Sequence, residues 1–235
     1  MLWYKAWLET RWRFVFMVGS ILLIWLTPLW LPSFGFRLPQ GVPASKIWMG
    51  VHLGSVLLYI IAANFLAGSG VNSQTTYAAA SGFHGSMFFT LSLPVSRRRL
   101  LLVRAGLGAL LTSALVAVLA GYTLLQRPGG ASSFEVVEYV ARSIVCTMAV
   151  YALSVLMACV LDEMWQFYAT SFFWMAFYLA QSRLAVIAWI SPLRGMSLFS
   201  YPANAPMPWA PIVASLAFAG ICLCASVLVL QRKEY

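Results

Sequence analysis

Ser96 to Leu125 reads SRRRLLLVRAGLGALLTSALVAVLAGYTLL, and this stretch decides the fold. Between Leu100 and Leu125 the only charge is Arg104, and the run exceeds the ~20 mainly apolar residues a helix needs to cross a bilayer. Arg97, Arg98 and Arg99 stand where such a span would leave the cytoplasm, with Arg104 close enough to snorkel back to the same surface. Topogenic charge accounts for these arginines equally well on that physics alone. Upstream, Pro94 lacks an N–H and pushes Leu93 out of the right-handed helical region. The Ser96 hydroxyl is placed to take an orphan amide as N-cap. Two helices are therefore expected to meet at an angle at 94–96.

The whole chain has the composition of that stretch. Of its 235 residues, 62% are hydrophobic and 9% charged, against about 25% charged in a soluble domain. This length holds about six spans with short loops and no separate soluble domain. The reading is an all-α membrane protein of six transmembrane helices forming a single domain, 1–235. The net charge of +9 would suggest nucleic acid in a soluble protein. Here the basic residues sit mostly at span ends, where anchoring and topology explain them, so no nucleic-acid partner is expected and membrane lipid is. Cys146, Cys159, Cys222 and Cys224 fall inside expected spans as small apolar fillers, and no metal site is expected. No removable signal peptide is evident after Met1.

Working outward, Trp3, Tyr4, Trp7 and Leu8 gather on one side of a helix and Lys5, Glu9 and Arg13 on the other, which predicts an interfacial helix over 1–13. Spans are expected at about Phe14–Trp30, Ile47–Ala67, Leu100–Leu125, Tyr139–Leu161, Trp165–Ala180 and Pro211–Leu230. Gly50 and Gly54 form a small-xxx-small pair, a candidate helix–helix interface, although such pairs are common in spans. The connection 70–99 is long and partly apolar. The stretch 181–209 is apolar but broken by Pro192, Pro202, Pro206 and Pro208, and its Leu184–Ile190 portion predicts a re-entrant or interfacial half-helix. Nine Lys and Arg fall on the side of the termini and six opposite, favouring cytoplasmic termini.

No G-x-x-x-x-G-K-[ST], H-E-x-x-H or G-x-S-x-G run occurs, so the chain is not expected to be an enzyme or to carry a cofactor of its own. Asp162 and Glu163 are adjacent and diverge, as in a solvated turn. His84 is a lone histidine in a loop, and His52 has no second ligand at helical spacing.

One motif is specific. Gly85-Ser86, followed by Phe89-Thr90-Leu91-Ser92-Leu93-Pro94-Val95-Ser96-Arg97, is similar to the G-T-x-x-x-L-L-S-L-P-V-S-R signature of the membrane-spanning permease subunit of type 2 ATP-binding-cassette transporters. The interfacial helix, six spans and broken loop before the last span resemble that family's layout. The chain departs at Ser81, Gly82, Phe83 and His84, where family members usually carry one or more acidic residues. The resemblance implies that this segment is a coupling helix between spans 2 and 3 and docks on an ATPase subunit through Gly85, Met87, Phe88, Phe89, Leu91, Pro94, Arg97, Arg98 and Arg99. It implies ATP and Mg bound by that partner, a second copy or homologous permease beside it, export, and a prokaryotic plasma (inner) membrane. The spans are nearly free of charge, which favours an amphipathic or apolar cargo. A non-transporting scaffold of the same architecture is the alternative. An intramembrane enzyme is a more distant one, with His52, Asn64, Ser113, Thr147 and Ser171 as scattered polar candidates.

Overall fold

A computed structural model describes residues 2–30, 44–67, 96–125, 132–161, 163–197 and 207–232. Among these residues the chain is all-helical: α1 (Leu2–Trp30), α2 (Ala44–Ala67), α3 (Arg97–Leu125), α4 (Ser133–Ala158), α5 (Glu163–Arg183), α6 (Ala185–Ile190), α7 (Pro192–Met196) and α8 (Trp209–Arg232). Three stretches are long and apolar enough to cross a membrane, Arg98–Leu124, Ser133–Ala158 and Trp209–Arg232, and Gly54–Ala67 forms a shorter apolar run in α2. The protein is thus an all-α, membrane-embedded chain. α5 is less apolar than its aromatic density suggests, because Gln166, Thr170, Ser171 and Gln181 interrupt it.

α4 is the centre. It packs against α2, α3, α5, α7 and α8, and every residue from Ala149 to Val155 is buried. A helix apolar on all sides belongs inside a bundle, and α4 gains its position that way. It begins at Ser133, earlier than the expected Tyr139, because Ser132 closes a capping box with Glu135: the Glu135 N–H donates to Ser132 Oγ at 3.3 Å and the Ser132 N–H to Glu135 Oε2 at 2.7 Å. Both orphan donors are satisfied at once.

α1 departs from expectation. An interfacial helix over 1–13 distinct from a first span was expected, whereas the helix runs unbroken from Leu2 to Trp30. No proline interrupts it before Pro28, and Thr10 satisfies its hydroxyl within the helix on Ala6 O at 2.7 Å. Arg13, assigned to the polar face, instead folds onto α2: its Nη1 donates to Phe65 O at 3.4 Å and its guanidinium lies 5.6 Å from the Phe65 ring centroid. Arg104 also differs, being buried (6% exposed) where a snorkelling position was expected.

α3 opens as the Ser96 cap predicts, with Arg99 N–H on Ser96 Oγ at 3.4 Å. At its far end Thr123 and Ser55 of α2 share a hydrogen bond of 2.9 Å. At its start Arg98 faces the carboxamide of Gln231 in α8, Nη2 lying 2.8 Å from the oxygen. The beginning of α3 and the end of α8 therefore lie together.

The segment before α8 folds as two short helices. α6 overlaps the expected half-helix and is exposed along Leu184, Val186 and Trp189, while in α7 Pro192, Leu193, Gly195 and Met196 are buried. Ser191 caps α7 through the Arg194 N–H at 3.4 Å, and Pro192 at the first helical position needs no partner there. Met196 O accepts from the Tyr139 hydroxyl at 3.1 Å, and a Cβ on Gly195 would lie 2.5 Å from Cys146 Sγ and 3.3 Å from Pro211 Cβ. Gly195→Ala should therefore loosen α7 from α4 and α8. A loss of about 1–3 kcal/mol, the usual range for overpacking, should appear as a lower melting temperature in detergent, with Cys146→Ala in the same chain recovering part of it.

Candidate functional site

Most of the expected docking segment, Gly85, Met87, Phe88, Phe89, Leu91 and Pro94, lies outside the described residues. Its basic end does not. Arg97 begins α3, Arg98 and Arg99 are exposed, and Arg98 faces the end of α8. Gly50 is in α2. At Gly54 no described atom lies within 4 Å of a Cβ position, whereas Gly108 of α3 meets Tyr151 and the Leu66 carbonyl. Among the described residues, tight contacts between helices are made at Gly108 and at Gly195.

Geometry singles out a different place. A cavity of about 700 Å³ opens between α2 and α5, with Val56, Leu57, Ile60 and Ile61 on one wall and Phe167, Ser171, Trp174, Met175, Tyr178 and Gln181 on the other. Ala188 of α6, Leu193 and Arg194 of α7, and Ser197 close one end. From Phe167 to Gln181 the cavity follows α5 for about 20 Å, at 1.5 Å rise per residue. Its body is apolar and aromatic. The polar groups concentrate where Ser191 Oγ donates to Gln181 Oε1 at 2.5 Å beside Arg194. Trp174 is 3% exposed and packed edge-on against Phe173, Phe177 and Phe218. Its indole N–H has no hydrogen-bond partner among the described residues.

Neither a family model, a curated protein nor a solved structure matches the chain.

A turn beyond the other end of the cavity, α2, α4 and α5 meet at a buried polar junction. Gln166 Nε2 donates to the Asn64 carbonyl at 3.1 Å, and the Ser154 hydroxyl donates to Asn64 Oδ1 and reaches Val150 O at 2.9 Å. Asn64, Ser154 and Gln166 are all at most 2% exposed, and Asn64 Nδ2 has no partner among the described residues. Of the other polar residues singled out in the sequence, Ser113 and Thr147 bond their own helix at Ala109 O and Ser143 O, and Ser171 lines the cavity. The side chain of His52 lies outside the described residues. Among the described residues no three of His, Cys, Asp and Glu come together, and all four cysteines are free.

Sequence reading named Asn64 and Ser171 without a place for either. The partners of Asn64 lie 90 and 102 residues away in the chain, a separation no local pattern encodes. A signal did exist for Gln166 and Gln181: two amides bracketing an otherwise aromatic helix need hydrogen-bond partners wherever that helix is buried.

Proposed function

We propose that this chain is the permease subunit of an exporter driven by ATP hydrolysed in a separate subunit. The observation that carries the reading is the run Gly85 to Arg97, similar to a coupling signature, set directly before a capped and apolar helix. Membrane-embedded helices, a basic cluster on the face where α3 begins and α8 ends, and a cavity along α5 support it. In this reading α1, α2 and α5 complete six spans and both termini are cytoplasmic. The α6–α7 pair re-enters the outer half of the bilayer: α7 is held beside α4 between Tyr139 and Cys146, about 9 to 20 Å along the axis from the first residue of α4. A second copy or a homologous permease completes the transmembrane pathway.

The coupling works mechanically. Met87, Phe88, Phe89 and Leu91 seat in a groove of the ATPase, and motion of that partner is passed through Pro94 and the Ser96 cap into α3. α3 continues as one helix of 29 residues and is locked to α4 by the Tyr151 hydroxyl on Ala105 O at 2.8 Å. A displacement at Arg97 therefore moves the centre of the bundle. The partner biases the two states only through contacts that differ between them.

Phe88→Ala with Phe89→Ala tests the docking. Truncating a buried aromatic anchor costs ~2 kcal/mol or more, so the pair should lower ATPase retention by at least about a hundredfold. Affinity purification of the tagged chain from its own membrane, read by ATP hydrolysis in the eluate, should show the ATPase lost while the permease elutes folded. Retention with full activity would overturn the assignment. Loss of folded permease would show that these rings pack under its own spans instead.

A further inference from the structure

We propose that the groove between α2 and α5 binds an uncharged acyl ester, with its hydrocarbon chain in the apolar half of the groove, its ester carbonyl on the indole N–H of Trp174 and its polar head beside Gln181. The inference rests on the groove itself and stands apart from the transport reading.

The orphaned donor carries it. Trp174 is 3% exposed and lines the groove, and its indole N–H has no hydrogen-bond partner among the described residues. An indole nitrogen donates and never accepts, so what is missing is an acceptor. A buried donor kept without one is costly and calls for a reason. Three residues earlier Ser171 lines the same wall, while Thr170 beside it turns its hydroxyl back onto Gln166 O at 2.7 Å. Residues three apart share a helix face, so two neutral donors stand together in the middle of the groove.

Their position sets the layout of the occupant. Trp174 lies about 10 Å from Phe167 on one side and about 10 Å from Gln181 on the other, at 1.5 Å rise per residue. Toward Phe167, where α2 and α5 converge on the bond between Gln166 and the Asn64 carbonyl, the facing wall is Ile60 and Ile61. Hydrocarbon suits that half. Toward Gln181 the lining turns polar with Ser197, and because Ser191 takes Gln181 Oε1, the amide N–H groups of Gln181 are left to donate. A hydroxylated head suits that half. Chain, carbonyl and head in that order describe an acyl ester, and about 700 Å³ falls within the ~300–1,000 Å³ of small-molecule sites. A longer chain leaves sideways past Leu57 and Met175, both more than half exposed.

Charge narrows the class further. The lining holds no carboxylate, and its cation, Arg194, already has a partner. No charge in the wall waits for an occupant, and an ion carried into an apolar groove without a counter-charge is costly. An alkane would fill the body but leave the Trp174 N–H as it is. An extended peptide would bring backbone N–H groups that this wall, rich in donors, cannot satisfy.

The test uses the full chain, purified in detergent and probed by native mass spectrometry with monooleoylglycerol, with its alkyl ether analogue lacking the carbonyl, and with oleate. The ester should bind about fivefold more tightly than the ether, the worth of roughly one hydrogen bond. Trp174→Phe alters the shape of the groove for both probes alike, so their ratio is the readout: it should fall to about twofold, and to parity when Ser171→Ala is added. Trp165→Phe, outside the lining, should leave the ratio unchanged. Monooleoylglycerol carrying a photoreactive acyl chain should crosslink to peptides of α2 and α5 in the unmodified protein, a readout that needs no variant to fold. Equal affinity for ester and ether, tighter binding of oleate than of the ester, an undiminished ratio in the folded double variant, or crosslinks confined to other helices would each overturn the proposal.

Discussion

Gly108→Ala is expected to cost about 2–6 kcal/mol of stability, and the loss should shrink when Tyr151 is phenylalanine. A Cβ on Gly108 would overlap the Tyr151 hydroxyl and come within 3.1 Å of Tyr151 Cζ and 3.0 Å of the Leu66 carbonyl oxygen. Three helices, α2, α3 and α4, meet at this one residue. The Tyr151 ring is 3% exposed and its hydroxyl donates to Ala105 O at 2.8 Å, so the ring has no low-cost way to move. Admitting the methyl means overpacking, about 1–3 kcal/mol, plus a buried hydroxyl deprived of its acceptor, about 1–3 more. Tyr151→Phe alone removes one hydrogen bond, about 1 kcal/mol, and in that background the added methyl no longer overlaps the hydroxyl, keeping only the milder contacts with the ring and the Leu66 carbonyl oxygen at 3.0 Å. Thermal unfolding of the four proteins in one detergent gives the cycle. A coupling of at least ~1 kcal/mol is expected for residues in contact, and strict additivity would show that Gly108 is not the contact point described.

The same residue shows how far the sequence could be read. Periodicity and apolar length place α3, α4 and α8 because crossing a bilayer demands both within one continuous segment. A pair of small residues in a span marks where helices can approach, but not which pair is used. Gly50 and Gly54 carry the motif, whereas the close approach at Gly108 stands in no glycine pair of that spacing and owes its role to Tyr151, 43 positions later. The early start of α4 was legible in Ser132-Ser133-Phe134-Glu135, a capping box masked by the turn residues Pro128, Gly129 and Gly130 before it. The continuity of α1 was not legible. Clustering charges on one face signals an interfacial helix, unless a cation such as Arg13 finds a carbonyl and a ring on a neighbouring helix. The cavity along α5 was out of reach altogether, since its walls come from four helices and only tertiary packing aligns them.

Asn64→Leu should leave the protein as stable as the natural chain or raise its melting temperature, while Asn64→Asp should lower stability by about 3–5 kcal/mol. The leucine removes an amide whose Nδ2 is buried without a described partner, and such a group costs about 1–3 kcal/mol of desolvation. Nothing else is orphaned. Ser154 keeps Val150 O at 2.9 Å, and Gln166 Nε2 bonds the Asn64 backbone carbonyl, which any side chain preserves. Aspartate has nearly the same shape, yet it sets either a charge or a displaced proton at the junction of α2, α4 and α5. Asn64 is 2% exposed, and a buried charge left uncompensated costs about 3–5 kcal/mol. Melting temperatures of both variants decide the stability question: if the leucine variant falls as far as the aspartate one, the amide is a fully satisfied structural group after all. A half-matched buried amide kept against stability calls for a reason in function. The junction ties α5 to α2 just beyond the groove, where the two walls would have to part if the bundle opens. In the proposed exporter, Asn64→Leu should therefore close that seam with apolar contact and slow turnover with its ATPase while stabilising the chain, and unchanged turnover would deny the seam any part in the motion.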